Sequence, residues 1–194
     1  MRNLLAVGVL MALSAVAPAA RAQEIAAVPT LELYGGYDYI RFNVNANVSG
    51  QPPSATYNGN GGSGQLEYNA KSWFGVLGSV GGFWATRSND HSVAGAGLPY
   101  LFGPRVTLRR RGVTPFAQVL AGGIATSSGI QYFGWQNHFA MSAGGGLDVR
   151  FARHFSFRPV QAEYLMTRIP DGLHNQQNNF RFSTGVSLLL GGRS

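Results

Sequence analysis

The sequence predicts an all-β fold, an eight-stranded antiparallel up-and-down transmembrane β-barrel. Three observations predict it. Hydrophobicity alternates with period two in segment after segment, the connections between segments alternate long and short, and 27 of the 194 residues are glycine while none is cysteine. The alternation is clearest in FAMSAGGGLDVRF, residues 139–151. Phe139, Met141, Ala143, Leu147, Val149 and Phe151 fall on one parity, and Ala140, Ser142, Gly144, Gly146, Asp148 and Arg150 on the other. Period two means a strand whose two faces meet different surroundings. In a barrel held in lipid, the apolar parity faces the hydrocarbon and the small, polar parity faces a narrow interior.

The N-terminus places the chain on an export route. Met1-Arg2-Asn3 is a short positive region, Leu4 to Val16 is apolar, and Ala20-Arg21-Ala22 is a small-x-small cleavage signal. Residues 1–22 are therefore expected to be a secretory signal peptide, cut before Gln23. A short periplasmic lead, 23–30, the barrel, 31–190, and a tail, 191–194, follow. No other window holds about eighteen uninterrupted apolar residues, so no transmembrane helix is expected. Without cysteine there is no disulfide framework. The net charge of +7 falls to about +5 once Arg2 and Arg21 leave with the signal. Much of the remainder is the run Arg109-Arg110-Arg111 between two strand-like segments. Nucleic-acid binding wants basic residues interleaved with aromatics on one surface, so a polar turn at a headgroup layer is the simpler reading, and no nucleic acid is expected.

The segments follow in order. The first, Leu31 to Phe42, is succeeded by a long polar stretch, Asn43 to Ser63. The second, Gly64 to Ala70, sets Leu66 and Tyr68 against Gln65, Glu67 and Asn69, and turns at Lys71-Ser72. The third, Trp73 to Ala85, is so rich in glycine that either parity is defensible. Loop 86–97 leads to the fourth, Leu98 to Arg109, where Tyr100, Phe102, Val106 and Leu108 oppose Gly103, Arg105 and Thr107. The fifth is Thr114 to Thr126, and loop 127–137 leads to the sixth, His138 to Phe151. After the turn 152–154, the seventh, Phe155 to Arg168, keeps Gln161, Glu163 and Thr167 on one face but puts Arg158 on the other, beside Pro159. A bulge at the proline, or a place at the periplasmic rim, would reconcile them. Loop 169–178 returns to the eighth, Asn179 to Leu190, where Phe180, Phe182, Val186, Leu188 and Leu190 oppose Arg181, Ser183, Gly185 and Ser187. Short periplasmic turns, long external loops and an even strand number are what an outer-membrane barrel requires. Aromatics near segment ends (Tyr39, Trp73, Trp84, Tyr100, Phe139, Phe151, Phe155, Phe180) match interfacial girdles.

The charged residues on the small or polar parity carry the strongest site signal. These are Glu32, Asp38, Arg105, Asp148, Arg150, Glu163 and Arg181. An eight-stranded barrel is just wide enough for side chains to fill it, so charges inside must pair. Two ionic layers are expected: Arg105 with Asp148 or Glu32 toward the periplasm, and Arg181 with Glu163 or Asp38 above. Their role is to hold the barrel shut.

Other apparent motifs carry less. Gly59-Asn60-Gly61-Gly62-Ser63-Gly64 satisfies GxGxxG, but no helix pattern follows it, so a surface loop is expected there. His154 and Ser156 are two apart, the spacing of a base and nucleophile on one strand face, but no carboxylate is evident beside them. His91, His138 and His174 fall in or beside three loops with no metal-ligand spacing. No catalytic residue, metal or cofactor is assigned.

LELYGGYDYIRF, WFGVLGSVGGFW, YLFGPRVTLR, TPFAQVLAGG, FAMSAGGGLDVRF and EYLMTR together resemble the OmpA-like transmembrane barrel, particularly the small opacity-type outer-membrane proteins that consist of the barrel alone. The resemblance covers residues 31–190. It implies a C-terminal assembly signal, polar-x-Gly-x-x-apolar-x-apolar, at Ser183, Gly185, Leu188 and Leu190, although the usual terminal aromatic is missing. The function expected is a small outer-membrane barrel with a plugged polar interior, acting structurally or through its external loops. Its expected partners are outer-membrane lipids and lipopolysaccharide, the barrel-assembly machinery during insertion, and an unidentified extracellular partner. A lipid A deacylase-like enzyme, a narrow channel and a soluble lipocalin-like carrier are the alternatives.

Overall fold

The computed structural model describes residues 28–44, 55–86, 93–110, 112–128, 136–169 and 176–192. The expected signal peptide, 1–22, lies outside them. Eight strands follow in chain order: β1 (Leu31–Val44), β2 (Ala55–Asn69), β3 (Phe74–Thr86), β4 (Val93–Thr107), β5 (Val113–Ser128), β6 (Gln136–Arg150), β7 (Phe155–Thr167) and β8 (Gln177–Leu190). Each pairs antiparallel with the next, and β1 pairs with β8 from Leu31↔Leu190 to Arg41↔Phe180, which closes the sheet. Closure leaves no ladder edge facing lipid, where an unpaired backbone group would cost several kcal/mol, about as much as a lost hydrogen bond in an apolar solvent. Thr30 N–H donates to the Leu190 carbonyl, and Leu189 N–H to that of His154, so the first and last strands are tied in at the short-turn end.

All strands but β3 and β7 are longer than the sequence pattern suggested, and they run 13 to 16 residues each. A tilted strand needs only about ten residues to cross the hydrocarbon. The excess lies at the long-loop end, where the expected loop 43–63 is mostly strand and only 45–54 separates β1 from β2. The GxGxxG run, Gly59 to Gly64, therefore lies in β2, paired with β1 on one side and β3 on the other. The ladder uses backbone groups alone, so Asn, Gly and Ser extend a strand without an apolar parity to mark it. For the same reason 93–97 and 136–137, expected in loops, begin β4 and β6.

Burial follows the alternation. Leu33, Leu66, Val80, Phe102, Val119, Val160 and Phe182 are exposed on the outside. The glycine-rich β3 settles with Leu77, Ser79 and Phe83 inside and Val80 and Trp84 outside. The interior is not purely polar. Ile40, Leu77, Phe83, Leu101, Leu120, Ile124, Ala140 and Leu165 form a buried apolar cluster within it.

β7 contains the decisive irregularity. Against β8, Arg158 faces Gly185 but Gln161 faces Ser183, so β7 advances one residue more than its partner. The β6 ladder shows the same excess, with Leu147 opposite Val160 and Val149 opposite Phe157. A bulge at Pro159 accounts for both, at an outward position where its missing N–H breaks only one rung. Below it Ser156 and Arg158 point inward, and above it Gln161, Glu163, Leu165 and Thr167 do, so the seventh strand's conflicting parities become one buried face.

Candidate functional site

The inward side chains meet in a hydrogen-bonded network that crosses the barrel. It starts at Asp148 on β6, whose carboxylate accepts from Arg158 Nε at 2.7 Å and Nη2 at 3.0 Å. Arg158 Nη1 donates to Gln161 Oε1 at 2.6 Å and to Gln65 Oε1 of β2 at 2.9 Å. The same Gln65 oxygen accepts from Arg105 Nη2 of β4 at 2.7 Å. Arg105 also donates to Glu67 Oε2 at 2.6 Å and, through Nε, to Gln118 Oε1 of β5 at 2.9 Å. Gln118 Nε2 donates onward to Glu163 Oε1 at 2.7 Å, and Ser142 Oγ donates to that oxygen at 3.2 Å. Glu163 Oε2 accepts from Arg181 of β8 through both Nε and Nη2. Six of the eight strands contribute to this path.

Two aromatic rings lie within it. The Phe116 ring sits under the guanidinium of Arg105 at 4.2 Å and that of Arg158 at 4.4 Å, and Arg158 also lies 4.2 Å over Tyr34. A planar guanidinium can saturate its in-plane donors while its face rests on a ring, which lysine cannot do. This suits arginines that are almost wholly buried, as Arg105, Arg158 and Arg181 are.

Glu32, Asp38, Arg105, Asp148, Glu163 and Arg181 are all buried. Arg181 is joined to Glu163. The lower partners differ from expectation. Arg105 pairs with Glu67, not with Asp148 or Glu32, because the bulge turns Arg158 inward and Arg158 occupies Asp148 on both oxygens. Glu32 is instead met at the rim by Arg109 at 2.9 Å and by Asn69 Nδ2 at 2.9 Å. Asp38 accepts from Ser63 Oγ at 3.0 Å. Arg150 is only half-buried, at the end of β6, with its backbone N–H donating to the Gly112 carbonyl. It stands at the rim rather than in the network.

Three charged participants were missed in the sequence. Glu67 stood on the polar parity of its segment and could have been found by that rule. Arg158 was hidden by the bulge. Arg109 closed the fourth segment on the parity of Arg105 and Thr107, so the same rule could have found it.

Of the assembly-signal positions, Ser183 and Gly185 face inward while Leu190 is exposed on the outside. A Cβ at Gly185 would stand 2.6 Å from Gly36 Cα and 2.8 Å from the Tyr34 ring, so this glycine lets the ring lie across the β1–β8 seam. His154 Nδ1 lies 3.2 Å from the Leu189 carbonyl, while Ser156 is buried on the inner face of β7. The turn histidine is thus engaged by backbone. His91 and His174 lie outside the described residues, and no group of three potential metal ligands occurs among the described ones.

Comparison with known proteins places this geometry. Residues 5–188 match the model of the outer membrane protein beta-barrel domain family. No curated protein sequence matches the chain significantly. Among solved structures, it is similar to Neisserial surface protein A (NspA), with 11% identity over 81% of this chain and 97% of that one, at a TM-score of 0.55. It is also similar to OprG from Pseudomonas aeruginosa, with 10% identity, coverage of 84% and 96%, and a TM-score of 0.49. The attachment invasion locus protein Ail of Yersinia pestis gives 16% identity, coverage of 81% and 97%, and a TM-score of 0.47.

Proposed function

From the premise that this chain belongs to the outer membrane protein beta-barrel domain family and resides in the outer membrane, we propose that it is a closed, non-conducting barrel that serves as a rigid carrier for its external loops. One observation carries the reading: the continuous path from Asp148 through Arg158, Gln65, Arg105, Gln118 and Glu163 to Arg181, which spans the lumen. The apolar cluster around Leu120, Leu101 and Leu165 fills the interior further. Opening such a lumen would require several charge-assisted hydrogen bonds to be exchanged together, and each is worth about 1.5–3 kcal/mol.

The role is non-catalytic and lies with the long connections at the end remote from the short turns. Those segments, 45–54, 87–92, 129–135 and 170–175, lie outside the described residues, and their partner is an extracellular molecule of unassigned chemistry. The short turns face the periplasm in this reading. A membrane-impermeant thiol reagent on intact cells should modify Ser49→Cys and spare Ser72→Cys, and the opposite pattern would invert the topology.

Planar bilayers test the closed lumen. Purified protein should show little or no steady conductance, whereas a large, stable pore in the wild type would replace this reading with a channel. A narrow hydrated path is the second reading. Its support is that Gln65 Nε2, Glu67 Oε1, Gln161 Nε2 and Arg181 Nη1 are buried with no protein partner among the described residues.

A further inference from the structure

Among the described residues, basic side chains lie both inside the barrel and outside it, whereas carboxylates lie only inside. All five carboxylates of the described residues, Glu32, Asp38, Glu67, Asp148 and Glu163, are buried. The exposed charged residues among those described are all basic: Arg41, Lys71, Arg110, Arg153 and Arg168. Lys71, Arg110 and Arg153 occupy the three short turns, β2–β3, β4–β5 and β6–β7, and so recur every second strand around one rim. Trp73, Phe151 and Phe155 are exposed beside them. Lys71 Nζ lies 5.6 Å over the Trp73 ring, and Phe151 stacks on Phe155 at 6.3 Å.

We propose that this rim is a binding face for the phosphodiester headgroups of anionic phospholipids in the leaflet it meets. The inference rests on the membrane-spanning fold and not on the closed lumen. Three features select lipid over a soluble polyanion. The basic side chains are distributed around the circumference, which suits an annulus of headgroups and not one compact ligand. Exposed aromatic rings mark headgroup depth at the same level. No exposed carboxylate among the described residues competes for the cations, so each keeps its attraction to a surface phosphate, a contribution that falls off within a Debye length.

The test measures lipid retained by the detergent-solubilised, folded protein in native mass spectrometry, offered equal phosphatidylglycerol and phosphatidylcholine. Wild type should prefer phosphatidylglycerol. The triple variant Lys71→Gln/Arg110→Gln/Arg153→Gln should lose that preference by about a hundredfold, or about fivefold per residue. The control Arg41→Gln/Arg168→Gln, at the opposite end, should retain it. Should the triple variant fail to show a folded, heat-modifiable band, Arg153→Gln alone, outside every strand, should still lose about fivefold. Equal retention of the two lipids by wild type, or an equal loss in control and triple variants, would overturn the proposal. So would lipid-free protein that pellets with purified peptidoglycan through the same three residues, which would assign the rim to a wall polymer.

Discussion

Arg158 grips Asp148 in a two-pronged pair, Nε to Oδ1 at 2.7 Å and Nη2 to Oδ2 at 3.0 Å, across the β6–β7 ladder at the point where that ladder is irregular. The pair and the irregularity have one cause. In a regular β7, either Arg158 or Glu163 would point into lipid, because five positions separate them and strand parity alternates. The extra residue at Pro159 puts both inside. The barrel can therefore hold one arginine against Asp148 and leave Glu163 for another, Arg181.

Asp148→Ala should destabilise the folded barrel by about 3–5 kcal/mol, since it leaves a buried guanidinium without its countercharge. Gln65 and Gln161 still accept from Arg158, and the Tyr34 and Phe116 faces remain, which favours the lower end of that range. The urea unfolding midpoint in lipid vesicles measures it. Val119→Ala, on the lipid face, should shift that midpoint far less.

Deleting Val160 should remove the bulge and restore a regular ladder. Four positions would then separate Arg158 from Glu163, so both side chains stay on the inner face and the Asp148 pair is kept. The expected outcome is a barrel that still reaches the heat-modifiable folded form. Failure to reach it would mean that the bulge does more than set the parity of β7.

Gly185→Ala should impair closure, because its Cβ would meet the Gly35 carbonyl oxygen at 2.3 Å and Gly36 Cα at 2.6 Å, both backbone atoms that cannot step aside. Gly35→Ala is the matched control, with no atom within 4 Å of its added Cβ. Refolding yields into vesicles without assembly machinery separate this packing role from signal recognition. A Gly185→Ala protein that refolds as well as Gly35→Ala would assign the glycine to recognition alone.

Arg181→Met and Glu163→Gln should each lower the urea midpoint, while the double variant Arg181→Met/Glu163→Gln should lose less than the two single losses together. A double-mutant cycle reads their coupling, expected at about 1–3 kcal/mol for side chains in one network. Strict additivity would mean that the two do not act as a pair. Gln118 and Ser142 share Glu163, so the cycle is best repeated in Gln118→Leu.

Alternation and connection lengths determined the number of strands, their antiparallel order, the direction of the apolar face and the inward placement of Asp148, Glu163 and Arg181. These follow from strand geometry, which repeats every two residues wherever lipid lies on one side. The sequence alone left the strand tops open, because the run from Asn58 to Ser63 carries no apolar alternation and only ladder bonding to β1 and β3 makes it strand. It also left the ion pairs open. Arg105 joins Glu67 and not Asp148 because of strand stagger around a closed sheet and one extra residue in β7, and neither is a property of any single segment. Parity says which side of the wall a charge occupies. Which charge it meets across the lumen depends on where the other strands bring theirs, and that is set only when the barrel closes.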